Sequence, residues 1–485
     1  MEREFDVVVL GAGAVGENVA DRARAAGLDV AIVEHELVGG ECSYWACVPS
    51  KALLRSAAAL RAARRVPGAA GAVTGDLDVA AVLARRDYWV SEWDDHGATR
   101  WVEGIGAELV RGHGRLDGER RVVVSQADGE EVVLVARHAV AVCTGSTPSM
   151  PDLPGLAEAR PWTSREATSA RSAPRRLAVV GGGVVAAEMA AAYAGFGTEV
   201  TVLVRGSMLG TMEPFAGEAV VAGLRAAGAT VRLGAVPERV ERDGDGAVTI
   251  TLEGGETVIA DEVLVATGRA PRTTGMGVET VGLEPGAWIE VDDTLAATAV
   301  SAAGSDGGAP WLYAVGDVNH RALFTHQGKY QARAAGDAIA ARALGGSVGD
   351  GRFGVHAATA DHVAVPAIVF ADPEVATVGS TAAQAEKSGV AVRVAEVSFS
   401  SVSGAGILAD GYDGRARLVI DEERGVIVGA TFVGQDTAEL LHAATIAIVG
   451  EVPVERLWHA VPGFPTLSEV WLRLLESLGR PEVRA

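Results

Sequence analysis

The chain has 485 residues, too many for a single core, so three or four domains are expected. Apolar residues make up 48 % and glycines number 61, the composition of a packed soluble protein with many tight turns. A formal net charge of −21 repels phosphate backbones and anionic membranes, which argues against nucleic acid and membrane partners. In chain order, the first element is a strand over Val7 to Leu10, entered directly from "MEREFD", so no signal peptide is expected. It ends on Gly11, Gly13 and Gly16, then a helical stretch and a second strand ending at Glu34. This is strand, G-x-G-x-x-G, helix, strand, acid. Gly11 makes the turn, Gly13 lets the backbone approach a pyrophosphate, and Gly16 lets helix and strand pack closely. The helix start supplies N–H donors, and Glu34 can accept from a ribose diol.

"GGECSYWACVPSK" follows and holds Cys42 and Cys47. Three cysteines in so long a chain do not make a secreted disulfide scaffold, and a close pair in an intracellular protein points to redox or metal chemistry. Half of a zinc site is one reading, although the spacing is unusual and only Cys143 and scattered histidines could complete it. An idle pair is another. Cys143 itself lies in an apolar strand, where a small core residue is expected.

"AVCTGSTPSMPDLPG" and "VLVATGRAPRT" each predict a strand ending in Thr-Gly, at Thr144-Gly145 and Thr267-Gly268, and then a turn with proline. Between them, "LAVVGGGVVAAEMAAAYAGFGTEVTVLVR" repeats the opening motif. Its glutamates and glycines favour strand, turn, helix and strand over a membrane span. Gly181 and Gly183 match Gly11 and Gly13, and Ala186 stands at the third position. At the spacing of Glu34, this copy has Val204, with Arg205 next. No acid is there to repel a 2′-phosphate and an arginine is at hand, which favours NADPH over NADH; a merely solvated strand-end charge is the alternative. Two dinucleotide motifs suggest one tightly held cofactor and one that exchanges, FAD and a nicotinamide. "WLYAVGDV" predicts a strand ending in Gly316-Asp317, where the carboxylate can bind a polyol hydroxyl. A surface loop is expected just before it, within residues 296–318, and "ARALGGSVGDGRFG" is a linker candidate.

The order of these motifs resembles the class I pyridine nucleotide-disulfide oxidoreductases, which include dihydrolipoamide dehydrogenase, glutathione reductase and mercuric reductase. The resemblance spans nearly the whole chain and adds "VPAIVFADPEVATVGST" and "FPTLSE", similar to that family's dimerisation domain. It implies an α/β fold with two Rossmann-like domains for FAD and NAD(P)H plus a C-terminal α+β dimerisation domain. The expected segments are 1–150 for FAD, 151–272 for NAD(P)H, 273–355 completing the FAD site, and 356–485 for dimerisation. A cytoplasmic homodimer with no structural metal is implied.

By the same resemblance Cys42 and Cys47 form a redox disulfide. Cys42 exchanges with the acceptor and Cys47 meets the flavin. A regular helix would hold two Cα atoms five residues apart at roughly 8–9 Å, whereas a disulfide needs about 4.4–6.8 Å. The segment is therefore expected to be irregular at Cys42, with a helix starting near Pro49-Ser50 and Cys47 at its N-terminus, where a thiolate is stabilised. Lys51 and Glu188 fall on positions of a Lys–Glu pair beside the reacting rings, and His326 is placed among the flavin-site residues. In the family a His–Glu dyad from the other subunit serves the exchange thiol. Here "HAVPGFPTLSE" keeps Glu469 but has Phe464 at the His position. Either the acid/base is absent or His459 supplies it from a rearranged loop. Glu469 has a second reading, since Thr466-Leu467-Ser468-Glu469 is a capping-box pattern opening the last helix.

The expected function is thus an FAD-dependent NADPH oxidoreductase of the disulfide-reductase type. Its acceptor, a disulfide or a metal, would not need the usual imidazole. An NAD(P)H:quinone reductase with an idle cysteine pair, a dihydrolipoamide dehydrogenase-like enzyme using His459, and a flavoprotein redox sensor or complex subunit are the alternatives. The C-terminus "LESLGRPEVRA" lacks the cysteine pair of mercuric reductases. Tyr44 and Trp45, between the cysteines, either shape an acceptor site or pack.

Overall fold

The computed structural model describes residues 1–303 and 309–480. The expected loop before "WLYAVGDV" is entered by a helix, Thr298–Ala303, and its centre lies outside the described residues. The chain divides into two compact units: residues 1–49, 87–149 and 269–361, and residues 50–86, 150–268 and 362–485.

The first unit is built on a seven-stranded sheet. Glu108–Arg111, Val30–Glu34, Glu2–Leu10 and Glu131–Val142 lie side by side and parallel. Leu312–Ala314 also pairs in parallel with Glu131–Val142, and the antiparallel strands Arg121–Ser125 and His113–Leu116 complete the sheet. Strand side chains alternate between faces, and here both faces are covered. Val7 and Val9 join one apolar cluster while Val8 and Leu10 join another. Helices Ala14–Ala25 and Thr325–Ala343 pack together over the first of these. Leu10 is in register with both Val33 and Val142, so Gly11, Glu34 and Cys143 emerge at the same sheet edge.

The second unit contains the repeated motif as Arg176–Val180, helix Val184–Gly195 and Glu199–Val204. These strands sit in a four-stranded parallel sheet with Thr230–Leu233 and Glu262–Val265. Every residue from Ala186 to Tyr193 is buried, so apart from Glu188 this helix is apolar all round because it is interior. Among the described residues no helix is long and apolar enough to cross a membrane. A five-stranded antiparallel sheet, ordered Pro366–Val369, Glu374–Gly379, Val426–Gly434, Arg415–Asp421 and Val392–Ser398, forms the C-terminal part. Helices Leu441–Val449 and Glu469–Leu478 close it.

Two local expectations are corrected. Cys42 is not in irregular chain but in a short helix, Gly40–Tyr44, and the long helix starts at Cys47, before Pro49. The break falls at Trp45, whose φ of −136° leaves the helical region and ends the short helix. Proline is tolerated in a helix's first turn, where its missing N–H has no intrahelical partner, so Pro49 does not delay the start.

Candidate functional site

At the edge of the first sheet, Gly11 has φ +98°, and a Cβ there would lie 2.6 Å from the Cys143 carbonyl oxygen. A Cβ on Gly16 would lie 1.9 Å from the Gly11 carbonyl oxygen, so helix and turn touch through it. Gly13 is different: its side-chain position has open space, with Gly40 Cα nearest at 3.9 Å. It is also the N-cap of Ala14–Ala25 and offers no side-chain cap, which leaves the first N–H groups for another acceptor.

Glu34 is buried at the end of the second strand. Its Oε2 accepts the Ala12 N–H at 2.9 Å, its Oε1 accepts the Glu36 N–H at 2.8 Å, and His35 Nδ1 lies 3.3 Å away. Burial pushes this carboxyl up, but the hydrogen bonds from His35, Glu36 and Ala12 outweigh it and hold it below its ordinary range. His35 is raised in turn, chiefly by its bond to Glu34. On the first helix, burial lifts Glu17 to about 7, against the attraction of Lys329.

The other polar positions of this edge are held by two short strands. Ser146–Pro148 pairs antiparallel with Arg269–Pro271, so the two Thr-Gly turns lead into one ribbon. Gly145 and Gly268 have φ +71° and +142°, and among the described residues the buried Thr144 hydroxyl has no hydrogen-bond partner. Gly316 takes φ +83° and opens a turn in which Asp317 accepts the Ser146 hydroxyl at 2.5 Å. Arg269 also donates to the Ser146 oxygen. Burial raises Asp317, with Ser146 and Arg269 opposing it. An open glycine cradle at an uncapped helix start, a ribose-ready carboxylate and an orphaned buried hydroxyl fit FAD. These residues would hold its phosphates, ribose and polyol chain.

Cys42 and Cys47 are not joined in a disulfide, and Cys42 lies within hydrogen-bonding reach of Cys47. The bond to Cys47 and then burial push the Cys42 thiol far up, while Thr325 and Lys329 pull the other way. Thr325 Oγ1 lies 3.3 Å from Cys47 Sγ. Thr325 is the first residue of Thr325–Ala343 and Cys47 the first of its own helix, so two positive helix starts meet at this sulfur. Negative charge is favoured on Cys47 and the proton on Cys42. Thr325 and Lys329 were not singled out from the sequence. The signal was available in "FTHQGK", where a hydroxyl opens a helix just after the Gly-Asp turn, but His326 in the same stretch drew the reading. His326 is exposed and stacks on Phe324 with ring centroids 5.3 Å apart. Of the two residues between the cysteines, Tyr44 is a packing residue, 5 % exposed, and Trp45 lies against it.

In the second unit, Gly181 has φ +141° and Gly183 faces open space, as Gly13 does. Ala186 is fully buried. Arg205 is exposed just past the second strand and makes no ion pair among the described residues. Lys51 Nζ bonds Glu188 Oε2 at 2.8 Å, and Glu188 Oε1 accepts the Phe370 N–H at 3.0 Å. Lys51 also sits over the Phe370 ring, 5.1 Å from its centroid. Phe370 was missed by sequence reasoning, because nothing local in "IVFADP" announces a contact with a residue so far away in sequence.

The C-terminal segment carries a third correction. No capping box forms: the Thr466 hydroxyl donates to the Gly463 carbonyl, and Ser468 caps Glu469–Leu478 without a side-chain bond. Glu469 is instead buried, with Oε2 lacking a partner among the described residues and Oε1 3.9 Å from Arg473. Phe464 is 76 % exposed. His459 is exposed, and among the described residues its ring makes no hydrogen bond and no ion pair with Glu469.

Residues 5–338 match the family pattern described as pyridine nucleotide-disulphide oxidoreductase, and residues 365–474 match the dimerisation domain of the same family. The chain is 34 % identical over 480 residues to a mercuric reductase of Acidithiobacillus ferrooxidans, covering 96 % of this chain and 81 % of that protein. It is 32 % identical over 473 residues to a dihydrolipoyl dehydrogenase of Chlorobaculum tepidum, covering 96 % and 95 %. Its fold is similar to the Cu(II) complex of the HOCl-induced flavoprotein disulfide reductase RclA from Escherichia coli. There the TM-score is 0.81 at 22 % identity, over 98 % of this chain and 99 % of that one.

Proposed function

The chain belongs to the pyridine nucleotide-disulphide oxidoreductases, FAD-dependent enzymes that use a pyridine nucleotide. We propose that it is a homodimeric, NADPH-preferring member whose Cys42–Cys47 pair reduces an acceptor that needs no imidazole acid. A thiophilic metal ion or a disulfide with acidic thiols is such an acceptor. The observation that carries this reading is the Cys42–Cys47 thiol contact at the start of Thr325–Ala343.

Gly11, Gly13, Gly16, Glu34, Thr144, Gly145, Gly316, Asp317 and His326 are assigned to FAD. Gly181, Gly183, Ala186, Gly268 and Arg205 are assigned to NADPH, with the exposed, unpaired guanidinium of Arg205 supporting the 2′-phosphate. Bound FAD would supply two-electron transfer from the nicotinamide to the Cys42–Cys47 disulfide. Lys51, held by Glu188 and Phe370, supplies a fixed positive charge. The segments 1–150, 151–272, 273–355 and 356–485 keep their proposed roles. The dimerisation-domain match and the exposed Ile407, Ile446, Val449, Val461 and Phe464 support a homodimer.

Cys42 gives up its proton to solvent and its sulfur attacks. With a disulfide acceptor, one thiolate leaves and a mixed disulfide forms. Cys47 then attacks Cys42, the second thiolate leaves, and the Cys42–Cys47 bond closes. With a metal ion, both sulfurs bind as thiolates, the Cys42 proton going to solvent, and pass two electrons to the ion as they join. Neither route needs a proton at the leaving atom, which suits Phe464, whose ring carries none. A basic leaving thiol would lose about 10²–10⁴-fold without a general acid. Identity to a mercuric reductase supports the metal route.

The test is an anaerobic NADPH titration followed by absorbance. Two electrons are expected to produce a long-wavelength band that is lost in Cys47→Ser, and Cys42→Ser is expected to abolish turnover. If two electrons only bleach the flavin and Cys42→Ser still reduces quinones, the cysteine pair is idle and the reading fails.

A further inference from the structure

The far end of helix Thr325–Ala343 borders a feature that neither nucleotide motif uses. A cavity of about 60 Å³ opens there, lined by Arg120, Arg137, His138, Tyr313, Ile339 and Arg342, all within the first unit. By the measure in which one water needs about 10–15 Å³, this is space for a few waters or one tetrahedral oxyanion. The helix has 19 residues, so the cleft lies roughly 28 Å along it from Thr325 and the thiols.

Three arginines from three parts of the chain line one hollow in a protein of net charge −21. Arg120 is in the turn before the strand Arg121–Ser125, Arg137 is on Glu131–Val142, and Arg342 is in the helix's last turn. Their counter-charges gather on Arg137 and His138. Arg137 pairs with Asp6 at 2.8 Å and lies 3.8 Å from Glu4; His138 is 3.7 Å from Asp6. Among the described residues Arg120 has only Glu119 at 3.8 Å, and its Nε is buried without a partner. Arg342 makes no ion pair among the described residues. It donates to the neutral hydroxyls of Tyr313 at 2.6 Å and Thr294 at 3.1 Å, and Thr294 passes on to Asp292. A guanidinium has five donors in a planar fork, so each of these arginines keeps donors to spare.

We propose that this cleft is a binding site for a phosphoryl group, carried by inorganic phosphate or by a small phosphate monoester. Guanidinium forks match tetrahedral oxyanions in geometry, and an anion here relieves the repulsion among three clustered cations. The carboxyl end of the helix opposes an anion through its dipole. Arg342, without an ion pair among the described residues, and Arg120, with its Nε unsatisfied, outweigh that opposition. Tyr313, fully buried with its hydroxyl on Arg342, fixes that side chain.

The test is equilibrium dialysis of the FAD-loaded protein against labelled orthophosphate at constant ionic strength. One saturable site per chain is expected, not displaced by chloride. Losing a charged hydrogen-bonding partner should weaken binding about 10- to 100-fold in Arg342→Gln. Arg120→Asn, which suits the φ of +55° at that position, should weaken it as well while leaving the packing around Tyr313 intact. Arg205→Gln should leave this site unchanged, which separates it from the proposed NADPH phosphate. Competition by glycerol 3-phosphate would assign a phosphate monoester as the better occupant, and its absence the inorganic ion. Binding that is non-saturable, matched by chloride, abolished by Arg205→Gln, or unchanged in both Arg120→Asn and Arg342→Gln overturns the proposal.

Discussion

The two glycine turns share a sequence pattern and differ in what they tolerate. In the first unit a methyl at the third position would meet the Gly11 carbonyl oxygen at 1.9 Å, whereas the second unit carries that methyl as Ala186, fully buried. The fourth residue of the first helix is Glu17, lifted to about 7, and its counterpart is the apolar Ala187. The second strand ends in buried Glu34 in one unit and in Val204 followed by exposed Arg205 in the other. The lesson is that the motif specifies a dinucleotide cradle, while packing around the third glycine and the strand's last residue decides how tight and for which ligand.

The largest break in that comparison is Gly16→Ala. The added methyl must displace backbone, so a loss of about 3 kcal/mol or more and of bound flavin is expected, read by urea unfolding and flavin absorbance. Ala186→Gly in the other unit should cost only about 1 kcal/mol. A retained flavin in Gly16→Ala would mean the two turns are equivalent after all.

Glu17→Gln tests the second difference. The carboxyl is raised on folding, so its contribution is fully present below about 4.5 and is lost as pH climbs through about 7. The flavin-free wild type should therefore lose up to about 3 kcal/mol across that window from this group, and the glutamine variant should lose the corresponding slope. Unfolding at pH 5 and pH 8 checks it; parallel profiles would remove Glu17 from the account.

Arg205→Gln should have the smallest effect and the sharpest reading. About a tenfold rise in KM for NADPH is expected, or about 1.4 kcal/mol, with NADH unaffected. Equal losses for both nucleotides would leave Arg205 as an ordinary solvated charge.

Much of the site was legible because its signals are local. Glycine turns, the strand before and the helix after each of them, the cysteine pair and the acid at Glu34 all sit within short stretches whose backbone demands are written in residue type. The partners of these groups were not local. Thr325 lies 3.3 Å from the Cys47 sulfur, and Phe370 holds Glu188 by its N–H. Each pair is separated by well over a hundred residues, so no periodicity or spacing could join them. The capping box at Thr466 to Glu469 shows the opposite error. The local pattern was right for a helix start, yet the helix opens at Glu469 itself behind Ser468, and the glutamate is buried there without making the capping bond.

By itself, then, the sequence determined the repeated nucleotide motif, the elements that carry it and the cysteine pair, because these follow from short-range sterics and alternation. Only the tertiary structure decided which thiol keeps its proton, what fixes Lys51 and Glu188, and that Arg120, Arg137 and Arg342 share one cleft. Those outcomes depend on burial and on charges brought together from distant parts of the chain, and neither is set until the sheets and helices have packed.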